Sequence, residues 1–339
     1  EHRRFRLIDT DAVEPPPGQV QVRVGSVGIC GSDLHYFSEG AIGDIGFQYP
    51  VVLGHEPTGA IWKMGAGVSG YSRGDRVFLE PALYCYHCEF CRSGRHNLCE
   101  NICFLSTPPD PGFFREFVNL PVSNVLPIPE GIPSDVGTLF EPLAVVLHSM
   151  KLAAMQLGET AVVFGGGPIG LMTVACLRAA GAGRIWCVEP RADRRELASL
   201  MGATEVIDPS QVNAVSEILA GTNKRGVDAG FDCATKDRTV QDTVNACRNG
   251  GRAIVTGIPS ERETPLNLHV LRRKELVLFN VRRSNHETDA AIEMLAAKPE
   301  LFAPLVTHRM PIDKIDSAFQ MLEAGGDGAA KVVLQFPKL

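Results

Sequence analysis

Thr160-Ala161-Val162-Val163-Phe164-Gly165-Gly166-Gly167-Pro168-Ile169-Gly170 is the stretch on which the fold turns. Its first five residues form a short apolar run, the pattern of a strand buried on both faces. The next six fit G-x-G-x-x-G and open an apolar helical stretch, 171–180, that stops at Gly181. A second strand reads over 184–188 and ends at Glu189. The spacing has a mechanism: Gly165 permits the tight turn, Gly167 lets a pyrophosphate approach the backbone, and Gly170 lets the helix pack close to the strand. Pro168 and Ile169 stand at the helix start, where free N–H groups and the positive dipole end favour phosphate. Glu189 is placed to accept hydrogen bonds from an adenosine ribose diol. A Gly-rich turn also occurs in ordinary α/β proteins. Here strand, turn, helix, second strand and terminal acid stand in register, which favours a dinucleotide site. A carboxylate at Glu189 repels a 2′-phosphate, so NAD is expected over NADP, although Arg191 and Arg194 follow closely and are able to receive a phosphate. Arg194 is counted among the cofactor-binding residues.

Working outward, strands are expected at 161–164, 184–189, 204–207, 228–232, 252–257 and 276–281. Helices fall between them, for example 193–201 and 237–247. Six strands with crossovers make a doubly wound parallel sheet. The first 130 residues differ, being rich in Gly, Pro and Val. Short strand-like runs such as Val20-Gln21-Val22-Arg23-Val24 and Gly59-Ala60-Ile61-Trp62 alternate with turn signals, as in a β-rich domain of Greek-key or barrel type. A helix beginning near Phe140-Glu141-Pro142 is expected to link the two. After residue 282 the pattern returns to short elements: a helical stripe of Ile315, Ala318, Phe319 and Leu322, then a strand at 331–335. The tail is too short for a domain and is expected to pack on the first one. The expected division is 1–143, 144–282 and 283–339.

Composition sets limits. The 339 residues are 45% hydrophobic and 21% charged, with a net charge of −6, so there is no footprint for nucleic acid or an anionic membrane. No apolar run is read as a membrane span. Glu1-His2-Arg3-Arg4 is followed by no apolar segment and is not read as a signal peptide. Of ten cysteines, four fall within fifteen residues at metal-ligand spacing and the rest are scattered. That pattern suits thiolate–metal chemistry in a reducing, cytoplasmic compartment better than a disulfide scaffold.

Three stretches of the β-rich part carry chemistry. Cys85-x2-Cys88-x2-Cys91-x7-Cys99 places four thiolates in one loop, suited to a closed tetrahedral zinc site. An iron–sulfur cluster and a redox disulfide loop are the alternatives, but seven residues separate the third and fourth cysteines and no Pro follows the fourth. Cys30-Gly31-Ser32-Asp33-Leu34-His35-Tyr36 and Gly54-His55-Glu56 together offer Cys, His and Glu, a competent zinc set. Nothing in the spacing alone brings Cys30 to His55, and a buried Cys with a satisfied His is the plainer alternative. Thr107-Pro108-Pro109-Asp110-Pro111-Gly112-Phe113-Phe114 reads as a packed turn or a pocket wall.

These motifs, in their order and separation, resemble the zinc-dependent medium-chain dehydrogenases, and among them the polyol dehydrogenases. The resemblance covers essentially the whole chain. It implies a GroES-like catalytic domain interrupted by a Rossmann NAD-binding domain, with the active site in the cleft between them. It implies a catalytic zinc on Cys30, His55 and Glu56, with Glu141 beside the metal or its water, and a structural zinc on Cys85, Cys88, Cys91 and Cys99. One thiolate and one carboxylate neutralise Zn²⁺, so Glu56 and Glu141 are not expected to bind it tightly together. The zinc would lower the pKa of a substrate hydroxyl, with Ser32 accepting its proton and the nicotinamide its hydride. Tyr36, Phe104, Phe113 and Arg282, with Arg283, match the neighbourhood lining the polyol pocket. Vertebrate relatives have Arg-Tyr where Arg282-Arg283 stands and lack part of the four-cysteine set. The family also implies a homotetramer, with the strand at 276–281 a candidate for pairing across a dimer axis. The expected activity is NAD-dependent interconversion of a sugar alcohol and a ketose. Threonine, 2,3-butanediol or an aldose are the alternative substrates, and a catalytically silent cofactor-binding relative is the alternative from another class.

Overall fold

A computed structural model describes residues 3–46, 50–236, 238–259, 261, 263–326 and 328–337. The chain forms two compact units: Glu1–Glu141 with Thr288–Leu339, and Pro142–Glu287.

The first unit is built on the ten-residue strand Gln19–Gly28, whose alternating Val side chains enter the core. This strand pairs antiparallel with three others: Glu56–Met64, Phe117–Pro121 and Lys331–Gln335. It can serve three partners because bulges at Gln21/Val22 and Val24/Ser26 bend it across the sheet. The full sheet has seven strands and runs from Val306–Pro311 through Lys331–Gln335, Gln19–Gly28, Glu56–Met64 and Arg76–Leu79 to Val125–Pro127, with Phe117–Pro121 paired off this path. The tail, including the strand Lys331–Gln335 and the helix Ile315–Glu323, is an integral part of this unit. At the end of the central strand, Gly28 lies opposite Glu56 on one side and Val333 on the other. The chain therefore leaves the sheet at Ile29-Cys30 with Glu56 and Lys331 flanking it.

The second unit is a six-stranded parallel sheet in the order Glu205–Ile207, Arg184–Val188, Thr160–Phe164, Val227–Asp232, Cys247–Val255, Val277–Asn280. In sequence order this is 3-2-1-4-5-6, the arrangement of a dinucleotide-binding doubly wound fold. The Gly-rich turn follows the first strand and opens the helix Pro168–Ala179. Gly165 has φ +98°, and a Cβ on Gly170 would lie 1.8 Å from the Gly165 carbonyl oxygen, so both positions require glycine.

Two elements depart from the sequence expectation. The strand expected at 252–257 begins at Cys247, directly after the helix Thr239–Ala246. Cys247 pairs with Val227, and Arg248 Nε donates to Asp228 at 2.6 Å, so Asn249-Gly250-Gly251 becomes an irregular part of the strand and not a loop before it. The expected helix start at Asp237 lies outside the described residues. Contrary to the reading of no membrane-length run, Ser134–Ala153 is long and apolar enough to span a bilayer by length and composition. Its burial, 72%, is that of a core helix.

Candidate metal centres and dinucleotide turn

Cys30 ends the excursion from the central strand and caps the helix Gly31–Glu39. His55 and Glu56 open the neighbouring strand, with both side chains buried. The sheet register brings the three together, and their ligand atoms all lie within 4.8 Å of one another.

Charges that stand far away in sequence order this cluster. Asp33, 1% exposed, accepts from the backbone N–H groups of Cys30 and Gly54 (each 3.1 Å) and from Ser106 Oγ (3.0 Å). Its Oδ1 also faces His55 Nδ1 at 3.4 Å. Burial would raise the Asp33 carboxyl, but His55 and these N–H donors outweigh it and hold the group below its ordinary range. Burial likewise would lower His55, and Asp33 and Cys30 reverse this, holding the imidazole well above its usual value. With Nδ1 turned to Asp33, Nε2 is left on the side of Ser32, whose Oγ lies 3.5 Å from it. Lys331 Nζ donates to both oxygens of Glu56 (2.8 and 2.7 Å) and to the Ile29 carbonyl (3.1 Å). Burial lowers the Lys331 ammonium, and Glu56 and Cys30 more than restore it.

Glu141 is buried in the first turn of the helix Phe140–Ala153. Its carboxyl is pushed up to about 7, by burial first and then by Glu56 and Glu80, against the pull of His55 and Lys331. Glu80, raised by burial, accepts from Thr288 Oγ1 at 3.0 Å. Buried carboxylates at Asp33, Glu56 and Glu141 and the Cys30 sulfur thus share one lysine and one histidine. Such an anion-rich donor set suits a divalent cation.

The substrate-lining expectations divide. Phe104 lies against His55, with ring centroids 5.5 Å apart, and Tyr36 is buried on the helix that Cys30 caps. Phe113 is fully buried in the core with Val22, Leu79 and Leu120. Arg282 is exposed and belongs to the other unit.

Cys85, Cys88, Cys91 and Cys99 converge, again with all sulfurs within 4.8 Å. Cys85 Sγ is 3.5 Å from Cys99 Sγ and 3.9 Å from Cys91 Sγ. A tetrahedron of ~2.3 Å zinc–sulfur bonds has edges of about 3.8 Å, so the spacing fits zinc. Backbone N–H groups of Cys85, Cys88 and Cys91 donate to sulfurs of the set at 3.4–3.5 Å, which favours thiolates. None of the ten cysteines is in a disulfide. His87 is exposed and bonded to the Cys85 carbonyl, and His96 makes edge contacts with the rings of Tyr84 and Tyr86.

At the Gly-rich turn, Glu189 is buried, and its two oxygens accept from the N–H groups of Gly166 (2.7 Å) and Arg191 (2.9 Å). Each oxygen keeps a further lone pair for another donor.

Residues 16–130 match the alcohol dehydrogenase GroES-like domain, and residues 168–297 match the zinc-binding dehydrogenase domain. The chain belongs to the zinc-dependent medium-chain dehydrogenase family. This dehydrogenase is 36% identical to sorbitol dehydrogenase of Bacillus subtilis over 89% of its own length and 86% of the relative's. It also resembles the structure of 2R,3R-butanediol dehydrogenase of the same organism, with TM-score 0.88 and 28% identity over 99% of this chain and 97% of that one. A Sinorhizobium meliloti protein, assigned to the zinc-binding dehydrogenases and bound to NADP, matches with TM-score 0.87 and 29% identity over 95% and 93% of the two chains. The dehydrogenase is therefore an oxidoreductase with a GroES-like and a Rossmann part.

Lys331, Asp33 and Glu80 are the residues that sequence reasoning did not single out. A lysine directly before the apolar Val332-Val333-Leu334 run was the available signal for the first.

Proposed function

We propose that this dehydrogenase oxidises a secondary hydroxyl of a sugar alcohol to a ketose, reversibly, with NAD and two zinc ions per chain. The observation that carries the reading is the convergence of Cys30, His55 and Glu56 beside Asp33, Ser32 and Lys331, in a family whose curated relatives include sorbitol dehydrogenase. Zinc on Cys30, His55 and Glu56 would supply the Lewis acid for the alcohol, and NAD on the Gly165–Gly170 turn the hydride acceptor. The protein's own residues do the rest. Asp33 fixes the His55 ring by taking Nδ1, leaving Nε2 as the donor atom. Lys331 neutralises Glu56, so that the carboxylate is held ready without an uncompensated buried charge. Ser32, with Oγ 3.5 Å from His55 Nε2, is the proposed relay for the alcohol proton: its hydroxyl accepts that proton while passing its own on to solvent. Glu141 stands by as a second carboxylate, and Glu189 receives the adenosine ribose. Cys85, Cys88, Cys91 and Cys99 would hold the second zinc and staple their loop.

That none of the ten cysteines is in a disulfide is in keeping with the proposed cytoplasmic, reducing location. A homotetramer is part of the reading. Its support is the strand Val277–Asn280, last in the sheet order, with Val277 47% exposed. A single sedimenting species at the 36.6 kDa of one chain would reject it.

The deciding experiment is NADH formation at 340 nm with sorbitol, xylitol, galactitol, threonine, 2,3-butanediol and glucose, each with and without a zinc chelator. Chelator-sensitive turnover on sugar alcohols is expected. Turnover confined to threonine, butanediol or glucose would move the enzyme to another substrate class, and silence with zinc and NAD bound would reject all of these. D33N is expected to weaken zinc at the Cys30 site by about 10–100-fold, because His55 loses its orienting anion. Competition titration against a coloured chelator measures this, and unchanged affinity would remove Asp33 from that role.

A further inference from the structure

Three arginines follow the acid that ends the second strand, and the structure gives each a different task. Arg195 is turned back, donating to the carbonyls of Glu189 (2.9 Å) and Pro190 (2.6 Å) and pairing with Asp208 at 3.1 Å. Arg194 reaches towards the Gly-rich turn: a Cβ on Gly167 would lie 4.0 Å from its Nη1. Arg191 remains at the ribose acid itself, its N–H held by Glu189 Oε1 at 2.9 Å. Its guanidinium is forked onto Asp193, Nε to Oδ1 at 3.2 Å and Nη2 to Oδ2 at 2.8 Å, half-buried on both sides.

An arginine at this place is the group that would accept a 2′-phosphate. A fork–fork pair with a carboxylate uses the same planar donors that phosphate would use. We propose that Asp193 is a cofactor-specificity residue that excludes NADP by occupying Arg191. The inference rests on the dinucleotide reading of the Gly165–Gly170 turn and extends it. Glu189 alone repels a 2′-phosphate through one charge. Asp193 adds a second negative charge to the same rim and engages the guanidinium of Arg191, the arginine whose backbone N–H is bonded to the ribose acid, while Arg194 reaches towards the Gly-rich turn. The arrangement also says why the arginine is tolerated in an NAD site: paired, it contributes no net attraction for phosphate.

The test is a fluorescence titration of NADH and NADPH binding to the zinc-loaded protein, comparing wild type, D193N, R191A and R191A/D193N. In D193N the affinity for NADPH is expected to rise about five- to tenfold, the size of a released exposed charge pair plus one removed repulsion, while NADH affinity stays within about twofold. In R191A/D193N most of that gain is expected to disappear, because the released arginine is what binds the phosphate. The 2′,5′-ADP fragment, titrated by competition, should follow NADPH. An unchanged NADPH affinity in D193N overturns the proposal. So does a gain that survives in the double variant, which would assign the effect to charge removal alone. If wild type binds neither NADH nor NADPH, the dinucleotide reading itself fails, a result distinct from either of these.

Discussion

Replacing Cys30 with alanine is expected to lower turnover at least about a thousandfold, the loss of roughly 4 kcal/mol of transition-state stabilisation that a Lewis-acid site supplies. On the proposed reading of two zinc ions per chain, the same variant should carry one. The fold should survive. Cys30 caps its helix mainly through its backbone, whose N–H is accepted by Asp33 Oδ2 at 3.1 Å, and that bond does not need the thiol. Cys30 is only half-buried, so the cavity left is small. Metal counting by plasma emission, steady-state turnover and far-ultraviolet circular dichroism together decide the matter. Two zinc ions per chain and activity within tenfold of wild type would show that the Cys30 cluster is not the reacting centre. An equivalent change at Cys91, which is buried among the other three thiols, should act differently and open the 85–99 loop.

The parts of this molecule that were legible in its sequence are those written by local rules. The strand, Gly-rich turn, helix and second strand around Gly165 depend on neighbours within thirty residues, and the structure places their ends within one position of the expectation, except that the helix begins three residues earlier, at Pro168. The four-cysteine loop is local in the same sense. The Cys30–His55–Glu56 cluster was legible as residue types but not as a place. The pairing that joins them is set by where the bulged strand Gln19–Gly28 meets Glu56–Met64, and no short pattern encodes that register. Counter-charges were less legible still. In the sequence Asp33 is only one member of the Cys30–Tyr36 stretch, and its role comes from Gly54, Ser106 and His55, which converge on it in the fold. The Asn249-Gly250-Gly251 segment reads as a loop, and only the Asp228–Arg248 pair shows why it joins a strand. Phe113 has the composition of a pocket wall and the position of a core residue, because tertiary packing decides which side of a turn faces in.

Lys331 is the clearest case of a non-local charge, and it carries the second large effect. It lies 275 residues from Glu56, 3% exposed against a fully buried carboxylate, and it donates to both oxygens. K331M should cost the metal-free protein about 3–5 kcal/mol, because one charge of a buried pair is left uncompensated. The zinc-loaded protein should lose clearly less, since the cation then supplies the counter-charge that the lysine gave. Denaturant unfolding of both forms measures the two losses, and their difference is the coupling between Lys331 and the metal. Equal losses with and without zinc would show that Glu56 does not face the ion, and would hand the ligand role to Glu141. A double variant, K331M/E56Q, discriminates further. Removing both charges should recover most of the stability of the metal-free protein, as replacing a whole buried pair does, yet should weaken zinc binding relative to K331M, because the Glu56 carboxylate is gone. The lysine is thus expected to matter most when the metal is absent, holding the donor set in one place until a cation takes over its charge.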